Sequence, residues 1–146
     1  MKKKCLIIQP IIPHYRLKLF SILSKSFENQ IYFGYDQKSK KLFKNDKSAN
    51  ILKSINISWI NLGPLIFNPQ YIFLFLSKFD IFIFNDNVRC FLLIPSILFI
   101  KIFTQKKVIL WGHGYGTKNP KIGNILRKIL YFWIDEYIAY SKYGLK

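Results

Sequence analysis

Apolar residues along this chain occur in two kinds of segment that alternate. Short consecutive runs of β-favouring residues predict buried strands, and apolar residues spaced three or four positions apart predict helices. The predicted strands cover 5–9, 30–35, 57–62, 81–84, 108–111 and 136–140. The predicted helices cover 15–27, 69–78, 88–103 and 121–134. This alternation predicts an α/β fold with a mostly parallel, Rossmann-like sheet and helices on both faces.

The segment 121–134 has the clearest helical pattern. Its predicted buried face consists of Ile122, Ile125, Leu126, Ile129, Leu130, Trp133 and Ile134. Its predicted polar face consists of Lys121, Asn124, Arg127 and Lys128. The pattern fits a helix that covers the core with its lysine side in solvent. It also fits a basic helix that touches an anionic membrane.

Two other segments bear on the fold. The stretch 36–54 is polar and rich in lysine, which predicts a loop or excursion, and Asn68 is expected to cap helix 69–78. The apolar segment 88–103 contains Pro95 and Lys101 and is shorter than the ~20 residues of a membrane span. It predicts a buried or interfacial helix, with a small integral membrane protein as the alternative.

Composition limits the class of protein. With 146 residues and 51% apolar residues, the chain is expected to form one domain with its own core. The net charge of +16 comes from twenty lysines and three arginines against seven acids, which favours an anionic partner. No arginine-rich recognition helix or RNA-binding aromatic motif accompanies this charge, so nucleic acid is not an expected partner. Cys5 and Cys90 lie in apolar runs and are expected to be reduced core residues of a cytoplasmic protein.

The sequence 108–116, VILWGHGYG, is the strongest candidate for a site. A buried strand runs into His113 between Gly112 and Gly114. In open α/β sheets, ligands bind beyond the carboxyl ends of the strands, and glycine lets backbone approach a ligand closely. The motif therefore predicts a ligand-facing histidine, with a tight turn and a solvated histidine as the alternative. No phosphate-binding loop, metal-ligand spacing or pair of catalytic carboxylates is present in the sequence, so neither a metal nor a cofactor is expected.

Three segments together resemble the N-terminal domain of bacterial glycosyltransferases with the GT-B fold, of family 4 or family 1 type. They are IIQPIIPHYRLKLF (7–20), VILWGHGYG (108–116) and DEYIAYSKYGLK (135–146). The resemblance implies that 1–146 is a single Rossmann-like domain that binds the acceptor, facing a second domain that binds a nucleotide-sugar. The sequence ends near the point where the family continues into that donor domain, which is expected to be absent. The chain is expected to be truncated or to need a partner, and to be inactive alone.

The resemblance also implies roles for individual residues. It puts His113 at the cleft, where a neutral imidazole accepts a proton from an acceptor hydroxyl or contacts the donor sugar. Backbone amides at Gly112 and Gly114 would contact the ligand. Arg16 would bind a phosphate of a lipid-linked acceptor, and His14 would position that acceptor. For His14 and Arg16, helix capping and surface solvation remain the alternative.

Two further details complete this picture. Asp86 lies at the tip of a central strand and would line the acceptor site, with the N-cap of the following helix as the alternative. The loop 10–13 has prolines where many GT-B enzymes have glycine, so direct contact with a donor diphosphate is not expected from it.

The resulting hypothesis is a domain that takes part in sugar transfer to a glycan or lipid-linked acceptor. Such a domain would act in the biosynthesis of cell-surface polysaccharide or lipopolysaccharide. It would be cytoplasmic and peripheral at the inner face of the membrane. The alternative is a non-enzymatic Rossmann-like remnant that docks onto a membrane or a partner protein.

Overall fold

The computed structural model describes residues 2–10, 16–33, 53–76, 78–114 and 121–140. In chain order the elements are β1 (Lys4–Gln9), α1 (Leu17–Ser26), β2 (Glu28–Phe33), β3 (Lys53–Asn56), β4 (Ile60–Leu62), β5 (Leu65–Phe67), a 3₁₀ helix (Pro69–Leu76), β6 (Ile81–Asn85), α2 (Leu93–Phe103), β7 (Lys107–Gly112), α3 (Lys121–Trp133) and β8 (Glu136–Ala139).

Six strands form one parallel sheet in the order β3-β2-β1-β6-β7-β8. Successive strands are therefore added on one side of β1 and then on the other, so the helices that connect them lie on opposite faces of the sheet. On one face, Phe20 of α1 packs with Ile7 and Trp111. On the other face, Leu93 of α2 packs with Leu6 of the same central strand. The predicted α/β class with a parallel sheet and helices on both faces is confirmed, and this arrangement is compatible with a Rossmann-like fold.

The strand predicted at 57–62 is found only at Ile60–Leu62, and it lies outside the main sheet. The third strand of the sheet is β3, which pairs with β2 and lies earlier in the chain. Residues 60–62 instead belong to the hairpin β4-β5, which is separate from the main sheet. Gly63 at the turn has a φ of 62°, a left-handed conformation that glycine adopts without strain. This turn favours pairing of β4 with β5, the strand that follows it directly. Of the predicted loop 36–54, residues 36–52 lie outside the described part.

Two helical predictions need correction. Of the segment 69–78, Pro69–Leu76 forms a 3₁₀ helix. Its expected cap, Asn68, accepts a hydrogen bond from the N–H of Tyr71 with its backbone carbonyl. The buried side-chain oxygen of Asn68 accepts none in the described part. The helix predicted at 88–103 begins only at Leu93, because residues before it form turns held to β5. No helix in the described ranges is long and apolar enough to cross a membrane.

The predicted orientation of the helix 121–134 is right only in its C-terminal part, where Trp133 and Ile134 pack against the core. Leu130 is buried as expected, but Ile122 is 72% exposed, and Ile125 and Ile129 are also exposed. Phe132 extends this exposed apolar stripe and is 80% exposed. The reason lies on the other side of the helix, where Arg127, expected in solvent, turns inward to a buried carboxylate.

Candidate functional site

The candidate site lies at the edge of the sheet where β1, β6, β7 and β8 end. Because the strands are parallel, the residues that follow them meet at this edge. The backbone N–H of Asp86 donates to the carbonyl of Trp111 (3.0 Å), and the N–H of Tyr140 donates to the carbonyl of Gly112 (3.0 Å). His113 follows β7 directly, between these two contacts. His14 lies outside the described residues.

On the α1 face of the sheet, five residues form what we call the Arg16 cluster: Gln9, Arg16, Trp111, His113 and Tyr140. The Arg16 guanidinium carbon lies 4.8 Å from the centroid of the Trp111 ring and 4.4 Å from that of Tyr140. Its Nη1 donates a hydrogen bond of 3.1 Å to Oε1 of Gln9. Arg16 occupies the N-cap position of α1, but its side chain makes no capping hydrogen bond. Capping therefore does not explain its side chain.

Gln9 has an unusual environment for an amide. It closes an otherwise apolar strand and is fully buried. Its Oε1 accepts from Arg16, whereas its Nε2 finds no acceptor among the described residues. A buried donor without an acceptor is costly, so such a group is usually satisfied by a water or a ligand oxygen.

His113 is exposed and contacts the same aromatic ring as Arg16. Its ring centroid lies 4.3 Å from that of Tyr140, with an angle of 46° between the two planes. Tyr140 therefore brings the imidazole and the guanidinium together at the open edge. The imidazole is thus accessible from solvent beside the guanidinium.

On the opposite face, Asp86, Arg127, Tyr131 and Tyr137 form a second group, the Asp86 cluster. Oδ2 of Asp86 accepts hydrogen bonds of 3.0 Å from both tyrosine hydroxyls. Nε of Arg127 lies 3.7 Å from Oδ1, and the Asp86 side chain is only 1% exposed. The carboxylate is thus surrounded by groups of the protein itself.

Burial beside this carboxylate changes the pKa values of the two tyrosine hydroxyls. Burial, followed by the charge of Asp86, raises the pKa of Tyr137 to about 12. The same two causes raise the pKa of Tyr131 further above its usual range. Both phenols therefore keep their protons near neutral pH and act as donors to Asp86.

Both glycines of the motif contact the Asp86 cluster, and Gly114 also has a φ of 73°, which favours glycine. A Cβ on Gly112 would lie 2.5 Å from Cβ of Asp86 and 2.9 Å from Oη of Tyr137. The N–H of Gly114 donates a hydrogen bond of 2.6 Å to Oη of Tyr137. Gly112 thus permits close packing, and the Gly114 amide, expected to contact a ligand, already has a partner within the protein.

Asp86, like the Gly114 amide, contacts other groups of the protein rather than the open edge. Its alternative role as a cap is wrong, since the N-cap of α2 is Leu92. Its carboxylate is directed toward Tyr131, Tyr137 and Arg127, rather than toward the open edge. We interpret Asp86 as a residue that holds the turn after β7 in place and so positions His113.

Known proteins give no guide to this site. No protein-family model, curated protein or solved structure matches the chain. Within the described ranges, no group of three His, Cys, Asp or Glu residues is placed to hold a metal ion. The chemistry available at the open edge is that of Arg16, Gln9 and His113: anion binding and proton transfer.

The sequence motifs did not identify several members of these clusters. Gln9, Trp111 and Tyr140 were not expected at the site, and neither were the tyrosines around Asp86. A signal was present for Gln9, because an amide that ends a buried apolar strand needs partners. Trp111 and Tyr140 end neighbouring strands, which are β7 and β8. Their meeting follows only from the strand order.

Proposed function

We propose that this chain is the acceptor-side domain of a glycosyltransferase with the GT-B fold. It would take part in sugar transfer from a nucleotide-sugar to a glycan or lipid-linked acceptor in the biosynthesis of cell-surface polysaccharide or lipopolysaccharide. A parallel sheet that is wound in both directions from β1 supports the proposal. So does the resemblance of the segments that end β1, β7 and β8, which are the segments that build the open edge.

The observation that carries the proposal is the Arg16 cluster. Stacking on Trp111 and Tyr140 orients the guanidinium, and Gln9 fixes one of its nitrogens. A planar guanidinium that is held in place binds phosphate oxygens through two parallel hydrogen bonds. The buried amide of Gln9 supplies a further donor beside it. In this proposal, Arg16 and Gln9 bind a phosphate of the acceptor.

His113 would supply the proton chemistry. It is exposed next to Tyr140, on the face that carries Arg16. A neutral imidazole there accepts the proton of the acceptor hydroxyl as that oxygen attacks the sugar. The nucleotide-sugar would be bound by a second domain across the cleft. No metal and no cofactor is assigned to this domain.

Binding of a phosphate-bearing acceptor tests the proposal. The probe is a water-soluble short-chain prenyl diphosphate linked to N-acetylglucosamine, titrated into the purified chain by calorimetry. We expect Arg16→Ala to weaken binding about tenfold or more, and Arg16→Lys to weaken it less, because lysine keeps the charge but loses the fork. Lys25→Ala removes one charge at the far end of α1 and should leave the affinity unchanged. Equal affinities of Arg16→Ala and the unaltered chain would overturn the proposal.

A second measurement concerns catalysis. Because donor binding is assigned to another domain, the chain alone should transfer no sugar from any nucleotide-sugar to this acceptor. Radiolabelled donors give the most sensitive readout. Turnover by the chain alone would show that this division of roles is wrong.

The exposed stripe on α3 supports a second candidate function, docking at an anionic membrane. The stripe consists of Ile122, Ile125, Ile129 and Phe132, and Lys128 is exposed on the same helix. A helix with large exposed apolar residues and basic neighbours binds in the headgroup region of anionic bilayers. The net charge of +16 favours the same occupant. The protein would then work as a peripheral protein at the cytoplasmic face of the membrane.

Vesicle flotation tests this docking. Vesicles with one-third phosphatidylglycerol should carry the chain upward, and Ile125→Ser/Phe132→Ser should abolish most of this binding. The matched control is Ile22→Ser, which removes an exposed apolar residue from α1 on the other face. If both variants float as the unaltered chain does, α3 is not the docking surface.

A further inference from the structure

The edge of the sheet opposite the Arg16 cluster contains a cavity of about 730 Å³. Four neighbouring strands, β2, β1, β6 and β7, begin at this edge. Ten residues of the described part of the chain line the cavity: Lys2, Lys3, Lys4, Phe27, Lys78, Asp80, Ile81, Gln105, Lys106 and Lys107. Six of these ten are lysines, whereas only twenty of the 146 residues of the chain are lysines. The general lysine content therefore does not account for this concentration.

The lysines come from three separate segments that backbone hydrogen bonds hold together. The N–H of Asp80 donates to the carbonyl of Lys4 (2.9 Å), and the N–H of Lys107 donates to the carbonyl of Asp80 (3.1 Å). The N–H of Lys4 also donates to Oδ2 of Asp80 (2.8 Å). The positions from which these side chains extend are thus fixed by the sheet, and only the side chains need to move to meet a ligand.

The charges around the cavity are unbalanced. Among the described residues that line it, Asp80 is the only acid. Lys107 has an ion pair with Glu136 outside the cavity, and the Lys106 ammonium lies over the Phe82 ring. Lys2, Lys3, Lys4 and Lys78 add four further positive charges around the same space. A concave surface lined by one sign of charge concentrates the electric field and attracts counter-ions.

We propose that this cavity binds a ligand that carries two or more phosphate charges close together, as in a pyrophosphate or a phosphomonoester headgroup. Several lysines can meet such a ligand at once, whereas an anion with a single charge engages fewer of them. The ammonium group is a compact charge with three donors, which suits phosphate oxygens from several directions. Phe27 and Ile81 give the cavity an apolar wall for the rest of the ligand. The site is separate from the proposed acceptor site and does not depend on it.

The first experiment uses soluble phosphate. The thermal midpoint of the whole chain is measured with pyrophosphate, with monophosphate and with sodium chloride at equal ionic strength. Because a ligand that binds the folded state raises the midpoint, pyrophosphate should raise it by several degrees more than sodium chloride does, and monophosphate, which carries fewer charges than pyrophosphate, should give a shift between the two. Lys3→Gln/Lys78→Gln should weaken pyrophosphate binding about tenfold. Lys18→Gln/Lys128→Gln removes the same charge from exposed lysines elsewhere and should keep the full shift.

A second experiment separates two sources of phosphate. Vesicles with phosphatidic acid, a phosphomonoester, are compared with vesicles of equal surface charge that contain phosphatidylglycerol, a phosphodiester. A preference for phosphatidic acid that pyrophosphate abolishes, and that Lys3→Gln/Lys78→Gln lacks, identifies a lipid headgroup as the ligand. Pyrophosphate binding without this preference identifies a soluble ligand.

The proposal is overturned if pyrophosphate shifts the midpoint no more than sodium chloride does. It is also overturned if the two double variants respond equally to pyrophosphate. In that case the lysines serve only to complement the carbonyl ends of α1 and α2, which point to this edge. Substitutions at Arg16 test the acceptor site and leave this cavity intact, so the failures of the two proposals can be told apart.

Discussion

The Arg16 cluster and the Asp86 cluster flank the end of β7 on opposite faces of the sheet, and in both of them aromatic side chains surround a charged group. In the Asp86 cluster, the carboxylate is 1% exposed and receives two hydroxyl hydrogen bonds and an arginine. In the Arg16 cluster, the guanidinium is half-buried, His113 is exposed and Nε2 of Gln9 has no acceptor among the described residues. In the first cluster the protein itself surrounds the charged group, although Oδ1 of Asp86 has only the ion pair with Arg127 and no hydrogen bond among the described residues. In the second cluster the Gln9 amide has a donor without an acceptor in the described ranges, beside an exposed imidazole.

This difference has a physical cause. A buried carboxylate must be compensated by the protein itself, because a charge left alone at low dielectric is very unfavourable. A guanidinium stacked on aromatic rings is stabilised through its faces and still presents N–H groups at its rim. Substitutions in the Asp86 cluster should therefore reduce stability, and substitutions in the Arg16 cluster should mainly reduce binding.

Asp86→Ala should have the largest effect. It leaves Arg127 without this carboxylate and removes the acceptor of two tyrosine hydroxyls, so the free energy of unfolding should fall by about 3 kcal/mol. Urea unfolding followed by far-UV circular dichroism measures this change. Asp80→Ala is the control, since it removes an exposed carboxylate from the opposite edge and should cost no more than about 1 kcal/mol. Similar losses in the two variants would refute the contrast between the clusters.

Gly112→Ala should have the next largest effect. Its new Cβ meets the Cβ of Asp86 rather than the end of a flexible side chain, and overpacking of this kind costs about 2 kcal/mol. Gly63→Ala makes a useful comparison, because that glycine has open space around it but a φ of 62°. It should cost about 1 kcal/mol through backbone strain alone. A larger loss at Gly63 than at Gly112 would show that the turn after β7 can move away from Asp86.

The sequence patterns predicted the strands that end at these clusters better than the side-chain contacts within them. The strands β1, β6 and β7 are buried on both faces, so their continuous apolar runs located their ends within one or two residues. The polar and charged contacts depend on residues far apart in the chain. Asp86 meets Arg127 only because α3, which packs against α2, brings Arg127 to the end of β6, and this ion pair accompanies an orientation of α3 that differs in part from the predicted one. Apolar residues occur on both sides of that helix, so periodicity alone did not decide which side is buried.

The short strands show a second limit of such patterns. β3 is a four-residue polar segment whose place in the sheet depends on pairing with β2, and nothing in its own composition favours a strand. Its neighbour, the hairpin β4-β5, has the stronger apolar pattern, so the third sheet strand was assigned to the wrong residues. Local propensity is a weak guide where tertiary pairing decides.

Arg16→Ala should affect stability less than Asp86→Ala does, and it should also weaken binding of the acceptor probe. The loss of the stack on Trp111 and Tyr140 and of the hydrogen bond to Gln9 should cost about 1.5 kcal/mol. Arg16→Lys keeps the charge and should cost less. Unfolding and binding of the prenyl diphosphate probe are measured on the same preparations. If Arg16→Ala destabilises the chain as much as Asp86→Ala does, the Arg16 cluster is part of the framework and the contrast fails.

Tyr137→Phe should have the smallest effect, and its dependence on pH is the informative part. Near neutral pH the variant should be about 1 kcal/mol less stable, because the hydroxyl no longer donates to Asp86 or accepts from Gly114. The pKa of Tyr137 is raised from 10.0 to about 12 in the folded chain, so the folded state holds this proton more tightly than the unfolded state does. Its contribution is therefore fully present below pH 10 and is lost as the pH rises toward 12.

The stability gap between the unaltered chain and Tyr137→Phe should then narrow between pH 10 and 12. Lysines also titrate in this range, but both proteins contain the same lysines, so the difference between the two isolates the tyrosine. Urea midpoints at pH 7, 9, 10, 11 and 12 give the measurement. A gap that stays constant across this window would mean that the Tyr137 hydroxyl is as accessible to solvent as His113 is. The Asp86 cluster would then be open in solution, and the contrast between the two faces would be lost.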